Sequence, residues 1–275
     1  MTAYRQGDKN LSQSDSLEKS ELELIDYDVL TIRFHEGVFD TSWHNHKTHQ
    51  LLYAEKGVVH FRTETRTYLL PANHGVWIPA GTAHSVHSTT PTLRFWGLYF
   101  SAFEPEDDEL LQLRIFPISA LAHEMIVFTE QWLETDAAAE LKISFFETIR
   151  LLAKEWCKET LSLELPISND PLLMKVTEHV VNHLDEPLRL ESVANRFGVS
   201  GRTLIRYFQK HLGMTFGRYL QVARIAKAAE LLTQPSISVT EVAYAVGYHS
   251  PSSFTQAFQQ LIGQTPYEYA SGRKK

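Results

Sequence analysis

Hydrophobic and polar positions follow two different rhythms along this chain, and the rhythm changes near residue 104. Between Leu22 and Phe100 the apolar runs are short: Leu51–Tyr53, Val58–Phe61, Thr67–Leu70, Val76–Ile78 and Leu93–Phe100. Gly37, Gly57, Pro71, Gly75, Pro79, Gly81 and Pro91 punctuate them, so each run reads as a strand closed by a turn. Many short strands with frequent turns predict a sandwich or barrel, not a parallel sheet with crossover helices. After the acidic stretch Glu104–Glu109 the spacing becomes three and four, in Leu121, Met125, Phe128 and Trp132 and again in Leu141, Phe145, Ile149 and Leu152. Two amphipathic helices fit, separated by the polar run Glu134–Glu140. They are expected to cover the barrel, and an apolar stripe left over would serve a second copy of the chain.

The last 85 residues contain a duplication. Val193-Ala194 and Gly198 reappear as Val242-Ala243 and Gly247, and Phe208, Gly213 and Thr215 reappear as Phe258, Gly263 and Thr265. Tyr219 and Tyr269 extend the match. Seven positions agree in chemistry and order, which points to one copied unit. Within it, Leu190–Phe197 has helical periodicity, Gly198 ends that helix, and Ser200 is placed to cap a second helix from Gly201 to His211. In the second copy Gly247 stops the first helix, Ser250 is the cap and Pro251 stands at the first helical position. Helix, short glycine-containing turn, helix is the helix-turn-helix pattern.

The second helix of each copy carries the chemistry. Leu204, Phe208 and Leu212 form one stripe, and Arg202, Arg206 and Lys210 form another about 200° around the helix. A helix with one apolar and one cationic face suits the major groove, where Arg clamps phosphate or pairs bidentately with guanine. In the second copy Phe254, Phe258 and Ile262 face inward, and Ser252, Gln256 and Gln260 face the opposite way without charge. Candidate DNA contacts are therefore Ser200, Arg202, Thr203, Arg206 and Lys210 in the first copy, and His249, Ser250, Ser252, Ser253 and Gln256 in the second. The apolar series Tyr219, Val222, Ile225, Ala226, Ala229 and Leu232 predicts a long helix joining the copies. Such a connector would let them enter successive major grooves about 34 Å apart.

Charge changes the picture only when it is divided. The whole chain carries a net charge of -7, yet residues 1–165 hold 14 Lys+Arg against 25 Asp+Glu while residues 166–275 hold 12 against 8. The net +4 of the second part sits where phosphates would be met. Cys157 is the only cysteine, which excludes an intramolecular disulfide and a cysteine-based zinc site. The polar N-terminus has no apolar signal core and no run reaches the roughly 18 apolar residues of a membrane span, so a cytoplasmic location is expected.

From L-E-S-V-A-N-R-F-G-V-S-G-R-T-L to V-G-Y-H-S-P-S-S-F and G-Q-T-P-Y-E-Y, residues 172–270 closely resemble the AraC-type DNA-binding domain. The resemblance implies recognition of a double-stranded DNA operator by two helices in adjacent grooves. It implies a homodimer, with RNA polymerase as a further partner. By motif position Arg202 and Arg206 fall on base-reading positions of the first unit, and Ser252 and Gln256 on those of the second. Members of the family commonly carry Arg where this chain has Gln256.

Eight of the 13 histidines lie between His35 and His87. His44, His46 and Gln50 share parity on one extended run, and His84 follows the Pro79-x-Gly81 turn. Spaced after Gly37 and before Gly57, this arrangement resembles the two cupin motifs, which implies a small β-barrel and, in many members, a metal held by three His and one Glu. Gln50 stands where that Glu would be. His44, His46 and His84, with Gln50, are candidate ligands of a divalent metal such as zinc, water completing the site. They are equally candidates for hydrogen bonding inside the barrel or to an organic effector. Trp43, His44, His46, Gln50, Trp77 and His84 are expected to line the effector pocket.

The fold class expected is α+β. A flexible tail (1–20) precedes a cupin-like effector-sensing barrel (21–103), a helical dimerisation segment (104–164), a linker (165–171) and an all-α domain with two helix-turn-helix units (172–275). The function expected is that of a transcriptional regulator, not an enzyme, controlled by a small-molecule or metal effector. A cupin metalloenzyme, a dioxygenase or isomerase with a helical appendage, is the competing reading.

Overall fold

A computed structural model describes residues 29–35, 39–88, 90, 92–101, 108–132, 139–158, 163–234 and 236–271. The tail expected at 1–20, and most of the acidic runs at 104–109 and 134–140, lie outside the described residues. The N-terminal domain is built of β1 (Val29–His35), β2 (Phe39–Asp40), β3 (His49–Lys56), β4 (Val59–Arg62), β5 (Arg66–Leu70), β6 (His74–Ile78), β7 (Ser85–Ser88), β8 (Arg94–Phe100), β9 (Arg114–Pro117) and β10 (Glu164–Pro166). They form two five-stranded sheets, ordered β1-β8-β3-β6-β9 and β10-β5-β4-β7-β2. The paired strands are antiparallel throughout. The mixed α+β expectation holds, and a single closed sheet is not shown among the described residues. Each sheet keeps its own edges, and the two meet through a shared apolar interior of Leu52, Val59, Phe61, Val76, Ile78, Val86 and Phe95.

The first sheet is covered on both faces. Its inward residues enter that interior, while Leu51, Tyr53, Trp77, Trp96, Leu98 and Phe100 point outward against α1 (Ala120–Phe128) and α2 (Ala139–Trp156). Ser119 starts α1 by accepting the Ala122 N–H at 3.2 Å. The helices bury Ala122 and Ile126, and Phe146, Ile149 and Ala153. Leu121, Phe128 and Leu141 of the expected stripes stay exposed at 65%, 49% and 56%. Trp132 and Ile149 of those stripes are buried and Met125 and Phe145 pack against them, so the packed face is rotated only in part from the one the spacing suggested. Glu164, expected to end the helical segment, and Leu165 and Pro166, expected to open the linker, add β10 to the edge of β5.

The C-terminal domain follows as α3 (Pro171–Asn182), α4 (Leu190–Arg196), α5 (Gly201–Tyr207), α6 (Phe216–Leu231), α7 (Val239–Ala245), α8 (Pro251–Ile262) and α9 (Pro266–Ser271). Two hydrophobic cores divide it. One gathers Leu173, Val176, Val193, Leu204 and Phe208; the other gathers Val242, Phe254, Phe258 and Ile262. Helix α6 belongs to both, giving Tyr219 and Ala223 to the first and Val222, Ile225 and Ala229 to the second. A fully buried side chain of this size contributes about 1.5–3 kcal/mol, so a rod shared by two cores is held firmly in each.

Candidate nucleic-acid interface and effector pocket

Each helix-turn-helix unit forms where local chemistry directs it. Gly198 and Gly247 take φ of +71° and +79° at the turns, a conformation that a side chain disfavours. Ser200 then accepts the Thr203 N–H at 3.1 Å, and Ser250 accepts the Ser253 N–H at 3.2 Å, starting α5 and α8. The last turn after α5 widens into π-helical spacing over Phe208–Leu212 before Gly213, at φ +67°, ends it.

Burial separates the faces of the second helices as expected. Leu204, Phe208, Phe254 and Phe258 are wholly buried, whereas Arg202, Arg206, Lys210, Ser252, Gln256 and Gln260 are exposed. Four expected contacts turn out to have capping work. Ser200 and Ser250 are the caps, and the Thr203 and Ser253 hydroxyls lie 2.9 and 2.8 Å from the capping oxygens. They mark the N-termini of the two helices, where backbone N–H groups favour an anion. His249 is exposed just before the second cap. The first unit therefore shows solvent a cationic face, and the second an uncharged hydrogen-bonding one.

In the N-terminal domain His44, His46 and His84 come together, with ring centroids 4.4 Å (His44–His84), 5.2 Å (His46–His84) and 6.2 Å (His44–His46) apart. An isolated bridge pairs His44 with His84. Each Nδ1–H donates to a nearby carbonyl: Ser42 at 2.8 Å, Thr48 at 2.6 Å and Thr82 at 2.7 Å respectively. That fixes the tautomer and turns each Nε2 lone pair away from the backbone. Burial holds His46 below its ordinary value and pushes His84 down to about 3, so both rings are neutral near pH 7. A neutral His46 with its Nδ1–H engaged can only accept at Nε2. The structure sets Gln50 Oε1 3.1 Å from that Nε2, so a neutral His46 gains a donor there only when the amide turns its NH₂ to the ring. The His84 Nε2 is buried and unmatched. Phe61 and Tyr99 complete the surroundings, 5.0 Å from the His84 ring and 5.4 Å from the His46 ring.

Two expectations change here. Trp77 faces the other side of the sheet, where its Nε1–H donates to the Leu110 carbonyl at 3.0 Å and its ring stacks on His49. It pairs with Leu51, one step from Gln50, and alternation sends the two neighbours to opposite faces. The metal set of His44, His46, Gln50 and His84 is not assembled either. Gln50 Oε1 lies against His46 Nε2, and among the described residues no three His, Cys, Asp or Glu side chains stand as a metal-holding group. Trp43 is half-exposed beside the cluster.

Comparison with known proteins is consistent along the chain. A family model described as "AraC-like ligand binding domain" matches residues 26–154, and one described as "Helix-turn-helix domain" matches residues 193–272. The chain belongs to the AraC-type transcriptional regulators. It is 26% identical over 250 residues to the HTH-type transcriptional regulator YfiF of Bacillus subtilis, covering 83% of this chain and 78% of that one. With the HTH-type transcriptional regulator NimR of Escherichia coli it shares 28% identity over 228 residues, 82% of this chain and 81% of that one. The crystallised DNA-binding domain of AdpA, in complex with a target DNA, is 32% identical over 38% of this chain and 92% of that one, with a TM-score of 0.36. This AraC-type regulator thus joins an N-terminal ligand-binding domain to a DNA-binding domain, and the metalloenzyme reading is not favoured.

Sequence reasoning missed how the two domains of the regulator touch. Val58, Leu69, Ala72 and Leu163 pack into the same core as Val222, Ile225, Phe258 and Tyr269. The Ala72 N–H donates to the Tyr269 hydroxyl at 3.1 Å, and His60 meets Glu230 of α6 at 2.9 Å. Burial works against the Glu230 carboxylate, but hydrogen bonds from His60 and Lys227 hold it below the usual range. The repeat carried a signal, since Tyr269 is the duplicate of a Tyr219 that lies beside Thr177 in the first unit.

Proposed function

We propose that this regulator grips an operator with Arg202, Arg206 and Lys210 in one major groove and reads the next groove with Ser252 and Gln256. The observation that carries this reading is the pair of duplicated second helices, each with a buried apolar face and an exposed polar one, on a connector common to both cores. Arg206 matches guanine by a bidentate pair, whereas Gln256 matches adenine. Selection of the full chain against random duplex DNA tests it. A two-part motif with a guanine-rich first half is expected; recovery of no sequence at low salt overturns it.

The effector that suits the histidine cluster is an uncharged small molecule bearing O–H or N–H donors. Three Nδ1–H tautomers offer acceptors, one of them unmatched, and two of the rings are neutral by burial. A charged ligand would lose hydration there without a counter-charge. Phe61 touches His84 from inside the domain, and its neighbour His60 faces outward to Glu230. Strand β4 therefore gives ligand binding a route to α6. A thermal-shift panel of neutral polyols, carboxylates and Zn²⁺ separates the classes: stabilisation by a neutral donor that His84→Phe abolishes supports the reading. Stabilisation by Zn²⁺ alone contradicts it. The exposed Leu121, Phe128, Leu141, Ile143 and Leu151 on α1 and α2 are where a second copy docks, and sedimentation of Leu141→Glu with Leu151→Glu should show a shift toward monomer.

A further inference from the structure

The two helix-turn-helix units meet at one side chain. Arg224, on α6, donates from Nε to the Leu184 carbonyl at 3.1 Å and from Nη2 to the Glu186 carbonyl at 2.9 Å. Both carbonyls belong to the segment that leaves α3 and leads into the first unit. On its other side the guanidinium lies over the Tyr248 ring, 5.7 Å from the centroid, and Tyr248 directly follows the turn glycine of the second unit. That glycine is itself close-packed. A Cβ on Gly247 would come within 2.2 Å of the Leu184 carbonyl oxygen and 2.5 Å of Arg224 Nη2. Gly198, its counterpart in the first unit, has nothing within 4 Å of the same position.

The turn of the second unit is therefore pressed against the segment that leads into the first, and one guanidinium ties them to the connector. Arg suits this place because its rigid fork can serve two carbonyls while its flat face lies on an aromatic ring, which an ammonium group cannot do. The geometry points to Arg224 as a positioning residue that fixes the angle and separation of the two recognition helices. It does so from outside the DNA-facing surface. This rests on the two-groove reading above. Without the tie, each unit would keep its own core and its own groove contacts, but the second contact would no longer be prepaid by geometry. Linking two sites raises affinity by roughly 10²–10⁴ only where both can engage together.

The test places nitroxide labels on the full chain at Gln209→Cys and Gln260→Cys in a Cys157→Ala background and measures their distance distribution without DNA. A single narrow distance is expected for Arg224, a broadened one for Arg224→Met, and partial narrowing for Arg224→Lys. Selection of random duplex DNA by the unlabelled proteins, with Gln209 and Gln260 intact, should return two half-motifs at one separation for the parent. Arg224→Met should return the same half-motifs at scattered separations, with affinity for the parent's best site lower by about 10- to 100-fold. Should Arg224→Met lose helical circular dichroism, Tyr248→Leu takes its place, removing the ring and keeping both cores. Unchanged distance distributions in the variants that remain folded overturn the inference. A broadened distribution with no recovered DNA motif would uphold the joint and reject the two-groove reading.

Discussion

Replacing Arg202, Arg206 and Lys210 together with Gln removes the cationic face of the first unit and leaves its core untouched. All three side chains are exposed, while Leu204, Phe208 and Leu212 on the opposite face stay buried. Surface changes of this kind usually alter stability by about 0.5 kcal/mol or less. Each lost phosphate contact flattens the slope of log affinity against log salt by about 0.9, so with Arg206 on a base the contacts of Arg202 and Lys210 flatten it by about 1.8. Over a fourfold change in salt, that slope amounts to about 12-fold in affinity. The assay is fluorescence anisotropy on a duplex selected by the parent protein, titrated at several salt concentrations between about 50 and 200 mM. The parent should show the steeper line, and the triple variant should lose most affinity at the low-salt end. A triple variant that keeps the parental slope, with its circular dichroism intact, would show that this face does not meet the phosphates.

The second unit should behave differently. Gln256→Ala is expected to leave the salt slope unchanged while relaxing preference at one adenine by about 1–3 kcal/mol, read by competition among single-base variants of the site. Phe258→Ala empties a core position shared with the N-terminal domain, and urea unfolding should show a loss of about 3–5 kcal/mol; an unchanged midpoint would contradict that packing. His74 gives a pH test. Burial pushes its imidazole from the ordinary 6.5 down to about 4, so the unfolded chain binds the proton more readily. Its stabilising contribution is complete above pH 6.5 and is lost as pH falls toward 4; at pH 5 the loss is about 2 kcal/mol. Urea midpoints at pH 7.5 and 5 should therefore differ less for His74→Gln than for the parent, and equal differences would reject the assignment.

The DNA-binding half was legible because its signals are local and doubled. Ser200 and Ser250, the four glycines in positive φ, and the Phe208 and Phe258 stripes declare themselves by spacing alone. The N-terminal half was harder to read for a physical reason. Strand β3 is covered on both faces, so His49–Ala54 is buried without alternation and the sequence does not say which parity faces the pocket. Strand β6 is likewise buried at all five positions, and Trp77 was misplaced for that reason. Around α1 and α2 the spacing found Trp132 and Ile149 but passed over their buried neighbours Ala122, Ile126, Phe146 and Ala153, because adjacent apolar stripes run along each helix. The short strands β2, β7 and β10 depend on partners far away in the chain, which no local pattern reveals. Arg224 was hidden within an apolar helical series, and only its carbonyl partners disclose its place.

Hydroxyl-radical footprinting of the full chain on its selected duplex tests the central claim most directly. Two protected patches on one face of the helix, about one turn apart, are the predicted outcome, the first fading in Arg206→Ala and the second in Gln256→Ala. A single patch that both substitutions weaken alike would contradict it.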